Sequence, residues 1–229
     1  MTCNGVPVFS PPPHAWLGQH AEYADARTAA LFVEDNTGSS WLGGPSFTPS
    51  SLPHVATFAL GNLPDNPLLN LLPAAGYLEV FHDGAGTGAL TWHKGGRTYP
   101  APNPTDAYQR GTFRAAHSIA SPNDRFELPD SAFATYDLLY SDWQGALIHE
   151  RGRKGEFNST LLGGHSSTGA AVALDELLPD KDFALLAEIE SWTTLEWWFG
   201  DACPLEVWIR PADLAAGDFG RAEVLIRAD

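Results

Sequence analysis

Period-two alternation marks the most strongly patterned segments of this chain. In residues 76–82, Leu78 and Val80 fall on one face and Tyr77, Glu79 and Phe81 on the other, the signature of a strand with two unlike faces. A glycine-rich loop (Gly84, Gly86, Gly88) follows, and residues 89–93 return as a second strand. Residues 54–60, 183–189, 205–209 and 222–227 read as further strands. Residues 211–216 predict a short helix, with Pro211 in its first turn and Gly217 just past its end. Residues 21–30 fit a short helix and residues 30–33 fit a strand, and their period does not separate the two. Residues 63–72 form a Pro- and Leu-rich connection with room for one helical turn. Residues 94–125 are polar and read as a surface excursion or linker, followed by a short helix over 131–140. The predicted class is mainly β, a β-rich α+β fold with short helices.

The same grammar occurs twice. Leu42-Gly43-Gly44 recurs as Leu162-Gly163-Gly164, and Leu78-Glu79-Val80-Phe81 recurs as Leu205-Glu206-Val207-Trp208. An apolar strand lies between the members of each set. Three elements in the same order predict an internal duplication inside one domain, 1–229. The first half covers 30–93 and the second 155–229, and a variable polar insertion over 94–154 separates them.

The closing run of the chain resembles the YwqG-like family, a bacterial family of unknown function. The residues that carry the likeness are Gly200-Asp201-Ala202, the strand from Leu205 to Arg210, Pro211, Asp213-Leu214, Gly217-Asp218-Phe219 and Arg221. Leu42-Gly43-Gly44-Pro45 resembles the family's N-terminal turn, and Leu72-Pro73, Gly76 and residues 78–81 resemble one of its strands. The resemblance implies a mainly β, roll-like fold with a repeated unit, and it brings no known reaction. There are departures. Glu188 stands where the family has a glutamine in the second half, and the first half has no glutamine in the matching strand. Gly164-His165-Ser166 stands where the family continues with tyrosine-proline, and the tryptophan-proline after the first turn is absent.

Charge narrows the partners. With 28 acidic and 13 basic residues the net charge is −15, a field that repels nucleic acid and anionic membranes and attracts a basic protein. The 22 glycines and 18 prolines favour turns and short strands. Two isolated cysteines, Cys3 and Cys203, form no framework and fit a reducing, cytoplasmic setting. The first residues show no signal-peptide pattern, and no apolar run approaches the ~18 residues of a membrane span.

Candidate chemistry is sparse. Gly164-His165-Ser166-Ser167-Thr168 falls one residue short of a nucleophile elbow, because its fifth position is Thr168 where that strained turn needs glycine. A duplicated structural turn accounts for it better. Glu188 and Glu190 share one strand face and could act as a paired acid and base in a hydrolase. The commoner reading of such a pair is a half-buried strand turning its polar face to water. Asp201 is a third carboxylate candidate, though Gly-Asp-Ala is also a turn in which Asp bonds its own backbone. Trp198 and Trp208, with Asp201, could form a binding surface, while such aromatics more often fill a core. His82 and His93 flank the hairpin loop. A symmetric pairing sets His82 opposite Leu90 and Glu79 opposite His93, with the two imidazoles on opposite faces. No metal-ligand spacing and no cofactor motif is present. The one basic cluster, Arg151-Gly152-Arg153-Lys154, lies among acids and reads as a solvated loop. The expected function is therefore a non-catalytic binding or protein-interaction module, with an immunity-like role against a basic partner among its forms. The alternative is a hydrolase of a carbohydrate or peptide-like substrate.

Overall fold

Where the alternation is cleanest, the strands form as the pattern dictates. The computed structural model describes residues 2–3, 6–7, 26–100, 108–124, 129–150, 159–190 and 204–227. Its strands in chain order are β1 (Thr2–Cys3), β2 (Val6–Pro7), β3 (Ala26–Glu34), β4 (Ser40–Gly43), β5 (His54–Ala59), β6 (Tyr77–His82), β7 (Gly88–His93), β8 (Tyr108–Ile119), β9 (Leu161–Leu162), β10 (Ala184–Ile189), β11 (Leu205–Ile209) and β12 (Glu223–Ile226). Three α-helices accompany them among the described residues: α1 (Asp130–Glu150), α2 (Ala170–Val172, running into a π turn over Ala173–Leu177) and α3 (Pro211–Ala216).

The strands β3 to β12 make one ten-stranded antiparallel sheet in the order β12-β11-β10-β9-β3-β8-β4-β5-β6-β7. The two ends of that order, β12 and β7, lie against each other, so the sheet curls into a nearly closed barrel. The fold is mainly β, as the sequence pattern predicts. Inward residues of alternate strands fill the barrel: Leu78 and Val80 from β6, Ala187 and Ile189 from β10, Leu205, Val207 and Ile209 from β11. The outward residues do not simply meet water. Outward Ala29, Leu31, Ala116 and Ile119 pack with Tyr140 of α1, and Leu185 and Trp208 pack with Ala173, Leu178 and Phe183. One end of the barrel is capped by the 3₁₀ turn Leu69–Leu71 and by α3, whose Leu214 reaches the core.

Four readings change. The segment 94–125 is no excursion: it contributes β8, twelve residues that pair with β3 on one side and β4 on the other, in the middle of the sheet. Tyr108, Arg110, Arg114, Ala115 and His117 are exposed along it, on both faces, and this makes it read as polar. The alanine-rich stretch before Val33 is strand, since β3 pairs with β8 along all nine of its residues and that ladder overrides the helix propensity of Ala26, Ala29 and Ala30. The helix expected over 131–140 runs longer, to Glu150. The hairpin register also shifts: His82 faces Gly88 and Tyr77 faces His93, because Asp83 closes the loop by accepting the Ala85 and Thr87 amides, at 2.8 and 2.9 Å. The two histidines still lie on opposite faces.

The strand sets β4-β5-β6-β7 and β9-β10-β11-β12 share their pairing in detail. Leu42 pairs with Ala56, and Leu162 with Ala187. Thr57 pairs with Glu79, and Glu188 with Glu206. Each ladder is interrupted at the same place, between His54 and Ala56 in one set and between Leu185 and Ala187 in the other. The turns that follow β4 and β9 begin alike, with Gly43 at φ 64° and Gly163 at φ 68°, left-handed values that favour glycine.

Candidate functional site

In both sets the outward acid of the third strand holds the loop that follows the glycine turn. Glu79 is fully buried. It accepts from the Phe47 amide (2.5 Å), the Thr48 amide (3.0 Å) and the Thr48 hydroxyl (2.6 Å). Thr57, across the ladder, adds a longer contact, and His54 bridges Thr57 Oγ1 to the Gly43 carbonyl. Loop and sheet are thus tied through one carboxylate.

The second set repeats the device with more charge. Glu206, also fully buried, accepts from Ser166 Oγ (2.5 Å) and Thr168 Oγ1 (3.2 Å) on one oxygen. Its other oxygen accepts from Trp208 Nε1 (2.8 Å) and Arg227 Nη1 (3.1 Å). Arg227 also reaches the Gly169 carbonyl. Opposite Glu206 stands Glu188, which accepts the Ser167 amide at 2.7 Å. Two carboxyl groups therefore face one guanidinium in a place closed to water. Burial first, and the Glu206 charge second, push the Glu188 carboxyl up to about 8. Tyr140 donates to the Ser167 carbonyl at 3.0 Å, and burial, then Glu188, raises its phenol. Asp124 completes the strap over the sheet by accepting the Ala170 and Ala171 amides at the start of α2.

The predicted site residues fare differently. Glu188 leaves the outward face of β10 and Glu190 follows one residue past its end, but both are 2% exposed, so the reading of a polar face turned to water is corrected. Glu188 is paired with Glu206 rather than Glu190, whose amide donates to Thr160 Oγ1. Trp208 is buried, with its indole N–H committed to Glu206. Ser166 is likewise buried and bonded to Glu206, which suits a structural turn. Asp201, Trp198 and the Arg151–Lys154 cluster lie outside the described residues. Sequence reasoning missed Glu206 and Arg227. The available signal was an acid at the same place in two otherwise apolar strands, Leu78-Glu79-Val80 and Leu205-Glu206-Val207.

Open space lies beside this cluster. One cleft of about 500 Å³, at the capped end of the barrel, is lined by Thr28, Asp65, Pro67, Leu68, Leu71 and Pro211. A second of about 500 Å³, on the outer face, is lined by Asp124, Ser166, Ala170, Leu174, Phe183 and Trp208. Both also touch Arg27, Gly164, Ala184 and Leu185, so they meet there. Neither is lined by Glu188, Glu190 or Glu206. Among the described residues no group of three metal-ligating side chains converges, and no helix is long and apolar enough to cross a membrane.

A nearly closed antiparallel barrel, with a buried carboxylate pinning the loop after each glycine turn, defines a mainly β protein. The chain belongs to the family described as Domain of unknown function (DUF1963), whose model matches residues 45–226. No curated protein matches the chain.

Proposed function

We infer that the protein is a non-catalytic interaction module of the YwqG-like kind, made of two copies of one β-rich unit, which works in the cytoplasm and takes a basic protein as its partner. The observation that carries this reading is the fate of the acids. Glu188 and Glu206 are sealed under the 164–170 strap, hold that strap by hydrogen bonds, and touch neither cleft. A catalytic carboxylate has to reach substrate. The shared pairing and shared ladder interruption support the duplication, and the net charge of −15 supports a basic partner. Neutralising a basic toxin is one form such a module would take.

A hydrolase remains the second reading, because a carboxyl pushed up to about 8 beside another carboxyl is the sort of pair that active sites use. One experiment separates them. The purified chain is used as bait in native lysate at about 0.15 M and about 0.5 M salt, and the same preparation is assayed for glycan and peptide turnover. The expected result is a stoichiometric basic protein that is released at the higher salt, with no turnover. Turnover that disappears in Glu188→Gln or Glu190→Gln would establish the hydrolase, and a bait that retains nothing at either salt would end the interaction reading.

A further inference from the structure

The sheet has a place for a strand that none of the described residues fills. β9 is only two residues long and sits between β3 and β10, pairing Leu162 with Ala30 on one side and with Ala187 on the other. After Gly163 the chain leaves the sheet: Gly164 lies over Ala29 and Ser118, and the His165 amide donates to Ser118 Oγ. β3 nevertheless runs on through Ala26–Ala29, and β10 through Ala184 and Leu185, Leu186 still accepting the Gly163 amide at 2.9 Å. These two lengths are not neighbours in the sheet, and the separation left by the absent strand is about 9–10 Å, two interstrand spacings. In the other set β4 reaches Gly43 opposite Tyr108, where the described part of β8 begins.

The two clefts are the two faces of this parting. They meet at Arg27, Gly164, Ala184 and Leu185, with one cleft on the core side of the sheet and the other on its outer side. An extended chain laid between β3 and β10 sends successive side chains to opposite faces. One would enter the cleft walled by Pro67, Leu68, Leu71 and Pro211, and the next the cleft walled by Ala170, Leu174, Phe183 and Trp208. A carboxamide already works at the inner end of the parting, where Asn66 Nδ2 donates to the Thr28 and Gly163 carbonyls. Carbonyl oxygens of β3 and of the turn after β9 therefore face the parting, and at its inner end Asn66 occupies them. Asp65 and Asp124 flank the two mouths, and the whole chain is acidic.

We propose that the parting between β3 and β10 binds an extended segment of a partner protein by strand addition, three or four residues long, with apolar side chains at alternate positions and basic residues at its ends. This deepens the interaction reading and rests on it. Main-chain pairing would supply affinity and the two clefts specificity. The occupant continues the direction of β9, antiparallel to both flanking strands.

The test is a selection of random nonapeptides displayed on phage against the full chain, followed by binding measurements on the enriched peptides as free, fluorescently labelled molecules. Each is measured against the native chain, Ala184→Tyr, which fills the junction of the clefts, and Leu71→Asp, which places a charge on the apolar wall. Leu71 is 37% exposed, so its substitution leaves the core intact. A version of each peptide N-methylated at two central positions keeps the side chains and removes the main-chain donors. The expected result is enrichment of peptides with apolar residues two apart, which lose roughly tenfold or more in affinity on N-methylation and in both variants. Peptides that bind all three proteins equally would overturn the strand slot while leaving an interaction module in place. A selection that enriches nothing would overturn the slot as well, leaving the module to stand or fall on the lysate experiment.

Discussion

Thr57 and Glu188 occupy the same ladder position in their two strand sets, each opposite an outward acid, Glu79 or Glu206. The hydroxyl of Thr57 sits beside Glu79 without competing for charge. Glu188 adds a second carboxyl to a pocket that holds one arginine, and burial together with Glu206 favours its neutral form. The sign of the pH effect follows. The folded state keeps a proton that the unfolded chain releases in the ordinary carboxyl range, so stability is full below that range and falls as pH rises toward about 8. The loss is at most about 1.4 kcal/mol per pH unit. Glu188→Gln removes the titration and keeps the shape, and so it should gain on the native chain steadily between about pH 6 and pH 8 in denaturant unfolding and level off above that. A difference that stays constant across that window would mean that the Glu188 carboxyl ionises freely in the fold. Burial of His54 lowers its pKa and takes stability away as the pH falls, but from both proteins alike, so it leaves their difference unchanged.

At the scale of elements, Asn66 ties together the 3₁₀ turn, β3 and the turn after β9. Its amide donates to the Thr28 and Gly163 carbonyls, and its oxygen accepts the Leu68 and Leu69 amides. Asn66→Ala should cost about 2–3 kcal/mol, at roughly 1 kcal/mol for each buried hydrogen bond and less where water replaces the side chain. Asn66→Asp should cost more at neutral pH, since it keeps the acceptor for the turn but sets an anion against two carbonyl oxygens. Urea unfolding of both variants decides it, and an Asp as stable as the Asn would mean that the two carbonyls do not use the amide. The sequence made such elements legible unevenly. β6, β10 and β11 stand out because one face is core and the alternation is clean, and α3 stands out through Pro211 and Gly217. β8 is hidden by exposed residues on both of its faces and by Gly111, which looks like a break. It is a close approach, where an added Cβ would lie 2.3 Å from the Phe32 ring. β9 read as a turn because two residues carry no period. The pairing of Glu188 with Glu206 was beyond reach for a different reason: it depends on ladder register across β10 and β11, and local spacing pointed to Glu190 instead. Asn66 lay in a connection whose only visible feature was its proline and leucine content.

For the whole molecule the decisive contact is the one that nearly closes the barrel. β7 and β12 end the hydrogen-bonded order of strands, yet they pack together through Leu90 and Val224 in the shared core. Closure by packing needs close approach, and Gly88, the first residue of β7, allows it. A Cβ added there would lie 2.5 Å from Val224 Cβ and 2.9 Å from His82 Cδ2, closer than side chains come without movement. Gly88→Val should therefore push β7 away from β12 and destabilise by about 1–3 kcal/mol, the range for overfilling a packed site. The loss should also be local. Amide hydrogen exchange should quicken in β7 and β12, which depend on that contact, and stay slow in β3 and β8, which are paired along nine residues on the far side of the sheet. If Gly88→Val left exchange in β7 and β12 unchanged, the two edges would not be supporting each other, and the sheet would behave as an open curl whose stability comes from its central ladders alone. Uniform quickening across all ten strands would point the other way, to a barrel so cooperative that opening one seam opens the whole.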